Sequence, residues 1–425
     1  MPPIHHAEIY GPRQDKTDWL DDHDVENTEW QAIDPKPDFF LFVPRDRALQ
    51  EAYDAFVPVP DVFPVHSVGI VTARDKLTIH WTADEAWHTV MNFARMAPDL
   101  ARKGYKLGKD VRDWKVGRAQ EDLRDSGPSR HNVVPILYRP FDVRYTYYTG
   151  VSRGFHCMPR PEVMQHMLQE NLALISPKQN QDEFGALVTT TIGAHKSLAA
   201  YHINYYFPLY VYPDVQRDDL FAHLAPSDRE PNLHPDLVPA LAEAYGRTPS
   251  PEEIFHYIYA VLYAPTYRER YAEFLRTDFP RVPFTADAGL FAELAALGER
   301  LVALHLLRSD ELDPPAARFE GQGDSKVART KSKGFRYDED EQRAYINPAQ
   351  YFAPVPPEVW EVRVGGYQVC HKWLKDRKER RLSVEEVKTY CRIVTALGLT
   401  LGIQQEVDER YMGVEERLLP VALGG

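Results

Sequence analysis

The chain has 425 residues, of which 44% are hydrophobic and 27% charged, the composition of a globular protein with two or three domains. Its three cysteines, Cys157, Cys370 and Cys391, are too few and too scattered for a disulfide framework or a zinc site. The N-terminus has no apolar signal core, and no run of 18 apolar residues occurs. We therefore expect a cytoplasmic protein that does not engage a membrane.

The formal net charge of −13 argues against indiscriminate nucleic-acid binding, but the charges are segregated. Residues 95–160 contain fourteen Lys or Arg and seven Asp or Glu, a net charge of about +7. Residues 363–381 contain seven basic and two acidic residues, about +5. Such a chain can hold a basic groove in an acidic body, although solvated helix faces would give the same pattern.

The first 60 residues are rich in Trp, Asp and Pro and contain one apolar burst, residues 38–44. This pattern is typical of a strand with its connections rather than of a complete domain. Strand-like runs then flank Arg74 and Asp75, which predicts a turn at that pair.

A helix is predicted over residues 83–96, because four apolar residues recur at helical spacing through this stretch and the residue after it. These residues are Ala86, Val90, Phe93 and Ala97. Residues 132–149 are β-rich, with Pro140 and Asp142 indicating a turn or bulge. A helix that starts at Pro161 and a short buried strand follow.

Beyond a proline-rich connection, Ser250 and Glu253 form the pattern of a capping box, and Pro265 should end or kink that helix. Residues 288–309 predict another amphipathic helix. Residues 313–347 look like a weakly apolar, partly mobile linker, and an apolar strand and a final helix close the chain.

These elements indicate a mixed α+β fold, with a mixed β-sheet recognition domain and a helical subdomain. The predicted divisions are an N-terminal segment (1–60), the mixed-sheet domain (61–220), the helical subdomain (221–312), a linker (313–350) and a C-terminal strand–helix segment (351–425).

Motifs for catalysis are missing from the sequence. It contains no GxxxxGK[ST], strand-linked GxGxxG, HExxH or CxxC, and we expect no catalytic residue, metal or cofactor. The string closest to an Asn/Asp-Pro-Pro-aromatic base-flipping loop is Asp313 to Ala316, which lacks the aromatic residue. Glu386-Val387-Lys388 has the letters of a nuclease motif but lies in a predicted helix.

Several blocks, in order and over nearly the whole chain, resemble the C-terminal, target-recognising part of Type ISP restriction-modification enzymes. They are "IYGPRQDKTDWL", "VGIVTARDKLTI", "ILYRPFDVRYTYYTG", "MPRPEVMQHML", "YYFPLYVYP", "HYIYAVLYAPTYRERYAEFLRTDFPRVPF" and "VGGYQVCHKWLKDRKERRLS". The first of these blocks resembles the end of the methyltransferase domain.

The resemblance implies a sequence-specific reader of double-stranded DNA in a phage-defence system. Full-length members combine a nuclease, an ATP-driven motor, an adenine methyltransferase and a specificity domain. The motor and methyltransferase motifs are missing from this sequence, so their activities should not carry over. A separate catalytic subunit is a possible partner.

Read as such a module, the chain offers candidate base contacts between two apolar strands. Lysine reads guanine, carboxamides read adenine, and threonine methyls pack on thymine. The candidates are Lys178, Gln179, Asn180, Gln181, Thr190 and Lys196. An ordinary polar loop would have the same composition.

Candidate DNA-backbone contacts, which fix register without reading sequence, come from the basic segments. They are Arg74, Arg139, Arg144, Arg153, Arg160, Lys372, Lys375 and Arg377. The alternative for Arg139 and Arg144 is an internal bridge to Asp142 that holds the turn.

Two other functions fit the sequence. The acidic surface and the helices around residues 250–310 could dock on a separate methyltransferase or motor chain. Alternatively, the chain could be an adenine-specific DNA methyltransferase whose cofactor site has diverged beyond recognition.

Overall fold

The computed structural model describes residues 3–9, 13–35, 46–181, 183–199, 201–212 and 229–424. Contacts divide the chain into two compact units, Met1–Ala55 and Phe56–Gly425. The apolar burst at 38–44, expected to be a strand, lies outside the described residues.

The described residues of the first unit form a short antiparallel strand pair and two helices. Its elements are β1 (Ile4–His6), α1 (Arg13–Asp22), β2 (Gln31–Ile33) and α2 (Arg47–Asp54). No side chain of α1 is buried, and α2 begins where the Asp46 side chain accepts a hydrogen bond from the Leu49 N–H.

The second unit begins with short strands and a helical layer. Its elements are β3 (Val57–Pro58), α3 (Val59–Val62), β4 (Ser67–Val68), α4 (Asp75–Thr78), α5 (Ala83–Arg95), α6 (Pro98–Gly104) and α7 (Val116–Asp125). The predicted helix is confirmed as α5, with Ala86, Val90 and Phe93 buried. Ala97 is exposed at the N-cap of α6. The second strand-like run near Arg74 begins as a helical turn, α4, which places the side chains of Leu77 and Thr78 in the interior.

The predicted β-rich segment is confirmed as a hairpin, β5 (Val133–Arg139) and β6 (Asp142–Tyr147), whose register shifts between Leu137 and Arg139. Phe141 in its turn has a φ of +57°. The predicted helix and short buried strand follow as α8 (Pro161–Met164) and β7 (Ala173–Pro177). The next strands are β8 (Leu187–Thr189), β9 (Ile192–Gly193), β10 (Asn204–Pro208), β11 (Tyr210–Val211) and β12 (Glu230–Pro231).

These strands form two adjoining sheets. One is antiparallel with the order β4-β10-β7-β8, and the other has the order β6-β5-β9, with β9 parallel to β5. The mixed sheet and the α+β class expected from the sequence are therefore confirmed.

A helical layer follows. Its elements are α9 (Leu237–Tyr245), α10 (Pro251–Tyr263), α11 (Pro265–Arg270), α12 (Ala272–Thr277), β13 (Arg281–Val282) and α13 (Ala288–His305). Ser250 and Glu253 make both bonds of the predicted capping box, and Pro265 ends α10 by starting α11. The tyrosines of α10 are buried, so they belong to the core.

The segment 313–350, expected to be a loose linker, is instead part of a four-stranded sheet. Its strands, in the order β14-β17-β16-β15, are β14 (Arg318–Glu320), β15 (Arg336–Asp338), β16 (Arg343–Tyr345) and β17 (Tyr351–Ala353). The expectation was wrong because the few apolar residues of this segment, among them Val327, Phe335 and Ile346, are spaced to be buried together.

The chain ends with α14 (Pro357–Trp360), β18 (Arg363–Val364), β19 (Tyr367–Gln368), α15 (Val369–Asp376) and α16 (Val384–Glu416). Of the predicted strand at 359–364, Arg363 and Val364 form β18, whereas Val359 and Trp360 end α14. In the described ranges, no helix is long and apolar enough to cross a membrane. One core joins β5, the β7–β10 sheet, the β14–β17 sheet, α15 and α16.

A buried ion-pair network fastens the β5–β6 hairpin to α15. The Asp142 carboxylate, 1% exposed, accepts from Arg144 Nη2 at 2.7 Å and from Arg377 Nη2 at 2.9 Å. Arg377 also donates to Glu386, which accepts from Arg380 as well. Burial alone would raise the pKa of Asp142, but Arg377 and Arg144 outweigh it and lower that pKa.

We predict that Asp142→Asn lowers the free energy of unfolding by about 3–5 kcal/mol, because two guanidinium groups remain buried without their shared counter-charge. Urea unfolding at pH 7 measures the change. The exposed Asp340→Asn is the matched control, and an equal loss in both variants would contradict the role assigned to Asp142.

Two fully buried histidines predict acid sensitivity. Burial lowers the pKa of His305 to about 3 and that of His156 to about 4. Unfolded imidazoles protonate near pH 6.5, so between that pH and about 4 the unfolded chain binds more protons. The free energy of unfolding should therefore fall on acidification, by up to about 1.4 kcal/mol per pH unit for each histidine.

Urea unfolding at several pH values between 6 and 5 tests this dependence. His305→Gln should reduce the pH slope of the unfolding free energy by about 1.4 kcal/mol per unit, whatever its effect at pH 7. A variant that retained the parent slope would show that His305 does not titrate on unfolding.

Candidate functional site

The polar loop 178–181 follows β7 and is anchored to the end of α12. The Asn180 N–H donates to the Arg276 carbonyl at 3.1 Å, and the side chain of Asn180 is 4% exposed. Lys178, half exposed, lies 3.8 Å from Asp278 and 5.5 Å from the Phe279 ring. Gln179 and Gln181 are exposed. The loop thus presents Lys178, Gln179 and Gln181 outward, whereas Asn180 packs inside and is poorly placed to read a base.

The threonine run between β8 and β9 bonds mainly to itself. Thr189 Oγ1 accepts the Thr191 N–H at 3.1 Å, which closes a tight turn. Thr190 Oγ1 accepts from Arg308 at 3.0 Å, so its hydroxyl already has a partner. Lys196, by contrast, is exposed.

Two cations from distant parts of the chain, Arg139 and Lys372, meet around Tyr367, and the backbone of Lys196 adjoins it. The Lys196 and Arg139 charges both act on His195. We call Arg139, Lys196 and Lys372 the basic cluster. The Arg139 guanidinium lies 5.6 Å and Lys372 Nζ 5.4 Å from the Tyr367 ring centroid. The Tyr367 hydroxyl donates to the Lys196 carbonyl at 3.2 Å. The sheet and α15 therefore bring predicted base and backbone contacts onto one surface.

The basic cluster has few competing carboxylates. Lys372 donates to Asp376 at 2.5 Å, and Asp75, which accepts from the Tyr138 hydroxyl at 2.8 Å, lies at its edge. Arg139 and Lys196 make no ion pair with a carboxylate among the residues described, and neither does the neighbouring exposed Lys375. Positive charge is left available to an anionic ligand.

Backbone packing at Gly365 fixes the Lys196 loop against the β18–β19 hairpin. Gly365 has a φ of +58°, and a Cβ there would lie 2.5 Å from the Leu198 carbonyl oxygen. The Gly366 N–H donates to that same carbonyl at 3.0 Å. A side chain at position 365 would therefore push the loop away from the basic cluster.

Three of the predicted backbone contacts lie elsewhere. Arg74 donates to the carbonyls of Leu107 and Lys109 at 3.0 Å and so holds a loop. Arg153 is exposed and 3.5 Å from Asp113. Arg160 is half-buried and donates to the Met158 sulfur. Of these, only Arg153 presents its guanidinium mainly to solvent.

Arg144 and Arg377 do not have the surroundings of phosphate contacts. They are 9% and 4% exposed, and both pair with Asp142. The internal Arg–Asp bridge considered from the sequence is present for Arg144, while the Arg139 guanidinium stacks on Tyr138 at 3.9 Å. The DNA-backbone role predicted for Arg144 and Arg377 is therefore corrected to a structural one.

Sequence reasoning missed Tyr138 and Tyr367, which support the basic cluster. It also missed His195, whose pKa is lowered by burial and by the neighbouring Lys196 and Arg139 charges. No local signal marks these residues, since their partners lie far away in the chain. Asp313 to Ala316 joins a 3₁₀ turn to β14, and the Ala316 N–H donates to Thr395. Within the described ranges, no group of three or more His, Cys, Asp or Glu side chains could hold a metal ion.

Solved structures with a similar fold include a DrdV–DNA complex, with a TM-score of 0.69 and 22% identity. Another is a nuclease-deletion mutant of the Type ISP restriction-modification enzyme LlaGI with a DNA substrate mimic, with a TM-score of 0.65 and 19% identity. The third is the ATP-dependent Type ISP restriction-modification enzyme LlaBIII bound to DNA, with a TM-score of 0.65 and 14% identity. The matches cover 95%, 95% and 89% of this chain, and the chain spans 43%, 33% and 25% of those chains.

No curated protein matches the chain. The family comparison is decisive, because the match to the Type ISP C-terminal specificity domain covers residues 61–401, well over half of the sequence. The chain therefore belongs to the Type ISP C-terminal specificity domain family.

Proposed function

We propose that this chain recognises a target sequence in double-stranded DNA for a restriction-modification system. The observation that carries the proposal is the basic cluster, on a chain of net charge −13. The Arg139 and Lys196 charges both act on His195, and those of Arg139 and exposed Lys375 act on Lys372. Neither Arg139 nor Lys196 forms an ion pair with a carboxylate among the described residues. Localised positive charge on an acidic body suits a ligand that is a dense polyanion, and it excludes indiscriminate contact elsewhere.

The loops at the same end of the β7–β10 sheet would supply base readout. Pro177 pairs with Asn204 across β7 and β10, so residues 178–181 and 201–203 leave the sheet side by side. The Gln181 N–H donates to His202 Nε2 at 3.1 Å, which ties them together. Exposed Gln179 and Lys196 can then approach adenine and guanine edges while Arg139 and Lys375 hold phosphates.

The three structural neighbours described above are longer chains solved with DNA or a DNA substrate mimic, and this supports assigning a DNA-reading role to the family module. Docking on another chain through the helices around 250–310 has less support. The apolar side chains of α10 are buried, and most of those of α13 are too. Those apolar surfaces serve the internal core.

We predict that Gln179→Ala weakens binding to a selected target duplex by about 1–3 kcal/mol and relaxes preference at one base pair. Affinity for random duplex should change little. Selection from a random duplex library at low salt, followed by gel shift, measures both. Gln169→Ala, an exposed glutamine on another loop, should match the parent, and failure of the parent to enrich any motif would refute sequence recognition.

We also predict that Lys375→Ala weakens binding to target and random duplexes alike, because a phosphate contact carries no sequence information. The slope of log Kobs against log salt should become shallower by about 0.9. Lys388→Ala, which removes an exposed lysine paired with Glu385, is the control. An effect of Lys375→Ala confined to the target duplex would assign that lysine to base readout instead.

A further inference from the structure

A second candidate ligand site lies between the β14–β17 sheet and α15, away from the basic cluster. It is a cavity of about 320 Å³, within the range of small-molecule sites. We call it the aromatic pocket. Its lining residues are Lys331, Phe335, Arg336, Tyr337, Tyr345, Trp360, His371, Leu374 and Lys378.

Five of the nine lining residues carry aromatic rings, of which Trp360 and Phe335 are 8% and 7% exposed. Trp360 and Tyr337 stack in parallel, with ring centroids 4.3 Å apart and planes 6° apart. The His371 ring lies 6.0 Å from Trp360 and 5.7 Å from Phe335. Aromatic walls of this kind favour a planar ligand, which gains both apolar burial and stacking.

Three cations line the same cavity, and Glu341 lies outside its lining, with a pKa lowered by a hydrogen bond from Tyr345 and by nearby charges that include Arg336. Lys378 Nζ lies 4.3 Å from the Phe335 ring centroid, and the Arg336 guanidinium lies 3.8 Å from Tyr345. Neither these two nor Lys331 forms an ion pair with a carboxylate in the part of the chain that the structure describes, and no acidic side chain lines the cavity. The pocket is thus suited to an anion as well as to a planar group.

His371 completes the set of polar groups. Burial, with Lys375, Lys378 and Lys372 close by, lowers the pKa of His371, so the imidazole is neutral at pH 7. A neutral imidazole can both donate and accept a hydrogen bond, as the edge of a base requires. Among described residues, no hydrogen bond to either of its ring nitrogens is formed.

We propose that the aromatic pocket binds a nucleotide, with the base against Trp360, Tyr337 and Phe335 and the phosphate held by Lys331, Arg336 and Lys378. The nucleotide could be free in solution or an unpaired residue of a DNA strand, since both present the same base and phosphate. The site does not depend on duplex recognition. On α15, Lys372 contacts Tyr367, whereas His371 and Leu374 line the pocket.

Calorimetric titration of the full chain with AMP, adenosine and ribose 5-phosphate tests the proposal. AMP should bind, and each half-molecule should bind at least tenfold more weakly, because it lacks either the phosphate or the ring. Absence of AMP binding, or equal binding of AMP and ribose 5-phosphate, would overturn the assignment.

Variants locate the site. Lys331→Ala/Lys378→Ala should weaken AMP binding at least tenfold, while Lys388→Ala should match the parent. Lys331→Ala alone, at an exposed position, should weaken binding severalfold and provides the test if the double variant unfolds. AMP affinity unchanged in a folded Lys331→Ala/Lys378→Ala variant would place the nucleotide elsewhere and sink the proposal.

A binding experiment with DNA distinguishes a free nucleotide from an unpaired residue of a DNA strand. A duplex with an unpaired 3′ nucleotide, compared with its blunt counterpart and competed with AMP, should bind better if strand residues enter the pocket. Equal binding of the two duplexes, with AMP binding retained, identifies a free nucleotide. Because the AMP titration contains no DNA, its outcome is independent of whether the chain recognises a duplex target.

Discussion

The arrangement of the second unit depends on one buried carboxylate. Asp142, in β6, bonds to Arg377, which lies 235 residues further along the chain, and to Arg144 in its own strand. Buried charges are costly unless they are paired and hydrogen-bonded, so this geometry leaves α15 little freedom relative to the hairpin. The Trp81 ring lies 3.7 Å from both the Arg144 and Arg380 guanidinium groups, which extends the network to the segment before α5.

The position of α15 determines the geometry of both the basic cluster and the aromatic pocket. Trp373 and Arg377 point into the core, Lys372 approaches Tyr367 and the basic cluster, and His371 lines the aromatic pocket. A rotation of this short helix would disturb both sites at once. The glycine contact at Gly365 performs a similar task for the Lys196 loop, because it lets two backbones approach more closely than any side chain would permit.

The chain belongs to the Type ISP C-terminal specificity domain family. The chain spans less than half the length of the solved chains that share its fold. Its described side chains bring cations, carboxamides and aromatic rings to the surface. Those groups suit recognition of nucleic acid by charge, hydrogen bonding and stacking.

The sequence by itself determined the local elements whose signals are short-range: the capping box at Ser250, the break at Pro265, the hairpin around Pro140, and the buried face of α5. It also carried the family resemblance, through ordered blocks. Only the tertiary structure decided that residues 313–350 contribute three strands to a folded sheet and that Asn180, Arg144 and Arg377 are buried. It also decided that Tyr367 brings Arg139, Lys372 and the backbone of Lys196 together. Exposure and charge pairing depend on partners far away in the chain, and no local pattern of residue types records which arginine will find a buried aspartate.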